Sequence, residues 1–165
     1  MTKQAAIGRL FLYACSMTTM TTTTTADEAL AAYPVKTPIT VHWGDQDAFQ
    51  HVNNVVYFRW YETARMKLFE RIDFSGSKPV GPILASTSCR YRAPVHYPDE
   101  LVVGTRVIDV GGDRFTMEMA LFSARTGGIA ATGEALIVAF DYGAQKKTAL
   151  PDDVVTAIAA LHARG

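Results

Sequence analysis

Apolar and polar residues alternate along this chain with two different periods, and each change of period marks an element. Over residues 38–43, Ile39, Val41 and Trp43 alternate with Thr40 and His42, which predicts a first strand with one buried face. The spacing then lengthens. Between 53 and 72, Tyr57, Trp60, Tyr61, Ala64, Leu68 and Ile72 recur three or four residues apart, with Arg59, Glu62, Arg65, Lys67, Glu70 and Arg71 between them. This is the period of a helix about 30 Å long carrying a wide apolar stripe. Asn53 and Asn54 stand where the unpaired first-turn N–H groups want an acceptor. The Gly-, Ser- and Pro-rich run over 73–82 ends the helix.

Strand character returns over 83–92, 101–110, 115–124 and 129–140, broken by turn residues such as Gly111-Gly112-Asp113 and Thr126-Gly127-Gly128. Short connections of this kind join antiparallel neighbours, so four consecutive antiparallel strands are expected. Pro151, Asp152 and Asp153 open a short C-terminal helix over 154–162, with acids where the helix dipole favours them. One helix with a single apolar stripe can bury it only against the concave face of a curved sheet. The expected fold is therefore a two-layer α+β domain, a curved five-stranded antiparallel sheet around one long central helix. Its open edges predict a homodimer or homotetramer.

Residues 37–165 carry this domain, and residues 1–36 are set apart as a disordered or targeting tail. The segment before Asp27 has Lys3 and Arg9, no acid, and a threonine run at 21–25. As a transit peptide it would direct the chain to a mitochondrion or other organelle; without that role the expected compartment is the cytoplasm. Cys15 and Cys89 show no metal or disulfide spacing, which fits a reducing compartment. Sixteen basic against sixteen acidic side chains give zero net charge, which argues against a nucleic-acid partner. An apolar fraction of 48% excludes a largely disordered chain. No apolar run approaches the roughly 20 residues of a membrane span.

The chemistry concentrates in residues 43–57, Trp-Gly-Asp-Gln-Asp-Ala-Phe-Gln-His-Val-Asn-Asn-Val-Val-Tyr. A carboxylate and an imidazole sit in a loop that feeds a helix N-terminus. Unpaired amides there can stabilise charge developing on a carbonyl oxygen, while a carboxylate attacks the carbonyl or activates water. Acyl transfer needs both. No Gly-rich phosphate loop, Gly-x-Ser-x-Gly elbow or metal-ligand cluster accompanies them, so no cofactor and no metal are expected.

The string Asp45-x-Asp47-x-x-x-His51-Val52-Asn53-Asn54-x-x-Tyr57 resembles the 4-hydroxybenzoyl-CoA thioesterase branch of the hotdog-fold thioesterases, over residues 38–142. The resemblance implies a helix wrapped by a curled sheet and an acyl-CoA thioesterase acting on fatty acyl or aryl thioesters, with sites at a subunit interface. It makes Asp47 the catalytic carboxylate and the backbone amide near Asn54 the oxyanion donor. His51 is a supporting residue and Asp45 a structural one. Asn53, Tyr57 and Trp60 are candidates to line the substrate site. Arg90 and Arg92, on one strand face with Ser86 and Ser88, are candidates for the phosphates of an acyl-CoA. An acyl carrier protein is the alternative thioester partner. Gln50 departs from the glycine common at its position, where left-handed backbone angles are easier. Sites in which the helix supplies the carboxylate would use Glu62 or Glu70. Two other readings remain, a non-catalytic acyl-CoA-binding module and a hotdog hydratase. The second expects Asp and His five residues apart with a proline between, against four and none here.

Overall fold

A computed structural model of the chain describes residues 24–75 and 78–163. The long helix, α2, spans Asn54–Arg71 and is capped by Asn53, whose side chain accepts the Val55 N–H. The expected stripe of Tyr57, Trp60, Tyr61, Ala64 and Leu68 is buried, as is Ile72 at the C-cap, and Phe69 and Arg65 join it. The strands are β1 (Val35–Thr40), β2 (Val80–Thr87), β3 (Arg90–Tyr91), β4 (Glu100–Val110), β5 (Arg114–Ser123), β6 (Gly128–Asp141) and β7 (Lys146–Lys147). A short helix, α1 (Ala26–Ala29), precedes β1, and α3 (Asp152–His162) ends the described chain.

One antiparallel sheet runs in the order β1-β4-β5-β6-β2, and the two-residue strands β3 and β7 pair with β6. This is the curved sheet around one helix that the pattern predicts, with a different order. The strand after the helix does not sit beside β4. It crosses to the far edge against β6, and β1 takes the place next to β4. Short turns do join β4 to β5 and β5 to β6 as neighbours.

The helix lies on β1 and β4, over a core built from Val103, Val107, Phe115, Met117, Leu121 and Ile137. Phe69, Phe74 and Phe115 close one end, with centroids 6.2–6.3 Å apart. Two local expectations differ. Trp43, read as the last inward residue of the first strand, belongs to a single 3-10 turn over Trp43–Asp45 and is 76% exposed. The single alternating strand over 83–92 is divided into β2 and β3 at Ser88 and Cys89, and within β2 a register shift between Leu84 and Ser86 leaves Ala85 as an extra residue.

The boundary drawn between residues 36 and 37 falls inside β1. Residues 24–34 lie against the opposite sheet face, where Leu30 is buried with Ala120 and Phe122. Tyr33 donates to Glu118, which also takes Arg106 at 3.0 Å. Apolar Leu30 and the aromatic ring of Tyr33 give this piece the burial that the threonine-rich composition ahead of it lacks. The remainder of the expected tail, residues 1–23, lies outside the described residues. Among the described residues, no helix is long and apolar enough to cross a membrane.

Candidate active site

The loop between the 3-10 turn and α2 is held by its own backbone. Gln46 and Val52 pair as an isolated antiparallel bridge. Inside it, Asp47 N–H donates to the His51 carbonyl at 3.1 Å, and Gln50 N–H donates to the Asp47 carbonyl at 3.0 Å. Asp47 Oδ1 accepts the Phe49 N–H at 2.9 Å, the short-range bond for which aspartate is favoured in turns. That bond fixes one carboxylate oxygen, and Oδ2 takes no partner among the described residues. Gln50, which occupies the position often held by glycine, has φ +64°.

Asp45 stands apart from this chemistry. It is buried, accepts the His42 N–H at 2.8 Å, and pairs with the guanidinium of Arg59. Its carbonyl accepts the Asn53 N–H at 2.9 Å. Asp45 therefore ties the loop to α2, as its structural assignment expects.

At the helix start the first-turn amides are unequal. Val55 N–H donates to Asn53 Oδ1 and Val56 N–H to the Asn53 carbonyl, each at 3.0 Å. Asn54 N–H, exposed at the helix start, takes no acceptor among the described residues. Asp47, His51, Asn54, Tyr57 and Arg92 line one cavity of about 520 Å³, together with Tyr91 and an apolar wall that includes Phe49 and Pro94. Five of the candidate residues are thus brought together.

The others are not. Asn53 spends its side chain on the cap. Trp60 is buried and borders a separate cavity with Ile39 and Arg59 on the other flank of the helix. Ser88 and Arg90 line a groove of about 550 Å³ with Tyr33 and Glu118 on the outer sheet face, and Arg92 borders both that groove and the Asp47 cavity. Ser88 Oγ accepts the Glu134 N–H at 3.3 Å, and exposed Ser86 lines neither space. Glu62 and Glu70 pair with Arg65 and Lys67 on α2, away from the cavity.

Tyr91 is the residue that the sequence grouped only with the strand alternation. Its hydroxyl donates to the Asn54 carbonyl at 2.9 Å, and its ring meets Tyr57 edge-on at 4.9 Å. Burial, with Cys89 and Tyr57 nearby, pushes its phenol up to about 12, so it stays a protonated donor. Burial likewise raises the Tyr57 phenol. A tyrosine between two arginines just before Ala93-Pro94 was the only local signal. Among the described residues, no group of three or more His, Cys, Asp or Glu is placed to hold a metal ion.

Residues 41–158 match the thioesterase-like superfamily. Over 80 residues the chain is 29% identical to the uncharacterised protein YsmA of Bacillus subtilis (strain 168), taking in 48% of this chain and 54% of that protein. The chain thus spans about half the length of the curated relative it matches. Among solved structures, the PA5185 protein from Pseudomonas aeruginosa strain PAO1 is similar with a TM-score of 0.70 at 32% identity, over 80% of this chain and 94% of that one. A thioesterase from Thermus thermophilus, complexed with coenzyme A and Zn, gives 0.71 at 28% identity, over 81% and 98%.

Proposed function

This chain belongs to the thioesterase-like superfamily with a hotdog fold, and on that footing we propose that it is an acyl-CoA thioesterase releasing the free acid and coenzyme A. The observation that carries the reading is the shared cavity, in which the Asp47 carboxylate and the unpartnered Asn54 amide line the same space. The thioester carbonyl oxygen accepts from Asn54 N–H at the positive end of α2, where negative charge that grows in the transition state is stabilised. Asp47 then acts in one of two ways. As nucleophile it bonds to the carbonyl carbon, thiolate leaves, and water cleaves the resulting anhydride. As general base it takes a proton from the water that attacks the same carbon.

His51 borders Asp47 and supports either path by positioning substrate or water. The acyl group lies against Phe49, Tyr57 and Tyr91, a wall suited to fatty acyl or aryl groups. Arg92 stands at the junction of this cavity with the outer groove, and Arg90 lies farther along it. The pair gives the coenzyme phosphates cationic contacts beyond the reacting end. An acyl carrier protein thioester is the alternative donor.

Trp43, Phe49 and Val55 are 76%, 80% and 67% exposed around the loop and helix start. Apolar exposure of this size beside two open sheet edges favours a homo-oligomer in which a second copy covers the site.

Thiol release from aryl, short, medium and long acyl-CoA substrates, with an acylated carrier protein in parallel, tests the reading. Turnover of at least one acyl-CoA is expected, and its preferred acyl group measures the cavity. Tight binding across the panel without thiol release would instead make the chain an acyl-CoA-binding module.

A further inference from the structure

We propose that His96 is a positioning residue for the Asp47 loop, acting by holding Gln50 in its left-handed conformation. The inference rests on the reading of Asp47 as the reacting carboxylate. Gln50 has φ +64°, a region where a Cβ crowds the backbone and which glycine enters freely. Its carbonyl meets His96 Nδ1 at 2.8 Å. A carbonyl oxygen can only accept, so Nδ1 carries the hydrogen.

Three consecutive residues hold this loop from outside. The Val95 carbonyl accepts the Val52 N–H at 2.8 Å, Tyr97 N–H donates to Gln46 Oε1 at 3.0 Å, and His96 reaches Gln50. The first two bonds secure the ends of the loop, where Gln46 and Val52 already pair. Among the described residues outside the loop, only His96 bonds to the turn itself. Within that turn, Gln50 N–H donates to the Asp47 carbonyl. Rotation of Gln50 toward ordinary backbone angles would break this bond and move the residue that carries the carboxylate. The His96 ring stands edge-on to His51 with centroids 6.4 Å apart and does not itself line the cavity. It acts on the reaction through the loop, and it does for a glutamine what glycine would do unaided.

A double-substitution comparison tests this. His96→Leu keeps bulk and donates nothing, while His96→Asn restores an N–H near the place of Nδ1. With Gln50 present, His96→Leu is expected to lower kcat about 10- to 100-fold with KM within about threefold, and His96→Asn to recover most of the loss. With Gln50→Gly, the same His96→Leu change should cost less than about threefold. An equal loss in both backgrounds, or no loss with Gln50 present, would overturn the proposal. So would failure of His96→Leu to fold in both.

Hydrogen exchange at the backbone amides of residues 49 and 50 supplies a readout independent of turnover. Exchange should accelerate in His96→Leu and stay slow when His96→Leu is combined with Gln50→Gly. Should the protein release no thiol from any thioester, this pattern still decides the clamp, and equal exchange in the two backgrounds would sink it.

Discussion

At the scale of single residues, two aspartates separated by one position have different surroundings. Asp45 is buried against Arg59 and the His42 amide, whereas Asp47 is half-buried in the cavity wall. Asp45→Ala leaves the His42 N–H and Arg59 without their acceptor, and should cost about 1–3 kcal/mol in denaturant unfolding. Gln50→Gly relieves a left-handed side chain but adds freedom to the unfolded chain. The two effects together should leave it more stable by about 0.5–1 kcal/mol, measured in the same way. The sequence assigned these aspartates different expected roles through its resemblance to a family, and no local pattern foretold their different surroundings. It could not separate Tyr57 from Trp60, since both belong to one apolar stripe and only the cross-section of the sheet decides which flank of α2 opens to a cavity. Tyr91 and His96 were illegible for a related reason. Tyr91 reaches the start of α2 and His96 the loop by hydrogen bonds between segments distant in the chain, and no local spacing encodes such a meeting.

Among the elements, the helix was the most legible. Its apolar period, its Asn53 cap and its Gly- and Pro-rich end all describe the same segment, and α2 begins and ends within one residue of the expected bounds. The strands were legible as strands but not in their order, because alternation marks a face and leaves the neighbour undetermined. The interruption over 83–92 shows why. Gly133 on β6 lets the backbone of Ser88 approach, and a Cβ there would stand 2.4 Å from the Ser88 carbonyl oxygen and 2.7 Å from the Tyr61 ring. The carbonyl belongs to the backbone and cannot swing aside. Gly133→Ala should therefore destabilise the protein by about 1–3 kcal/mol and loosen β3, which carries Tyr91. A lowered melting temperature together with faster amide exchange over residues 88–92 would bear this out; an unchanged melting temperature would not.

Across the whole molecule, the helix occupies one face of the sheet and the segment around α1 the other. Composition hid the second contact, since the few residues that make it follow a threonine run. Gly104 allows it: a Cβ at that position would meet Tyr33 Cβ at 2.8 Å and Leu30 Cδ2 at 3.0 Å. Gly104→Val should lift residues 24–34 from the sheet, exposing them to limited proteolysis while the remainder of the domain stays protected. The exposed apolar residues at the cavity mouth bear on the same scale. Sedimentation should give twice or four times the chain mass, and a monomer at micromolar concentration would contradict the expected oligomer. Fold class was legible because every local signal agreed on one helix and one sheet; the grouping of residues around Asp47 depends on how the sheet curls and on which edge β2 joins.

The most direct measurement is kcat/KM for the preferred acyl-CoA in the unaltered protein and in folded Asp47→Asn of the same oligomeric state. Loss of the carboxylate should reduce it by at least about 100-fold, a difference of about 2.7 kcal/mol in transition-state stabilisation. Equal turnover by the two proteins would contradict the account, because the reacting group would then lie elsewhere.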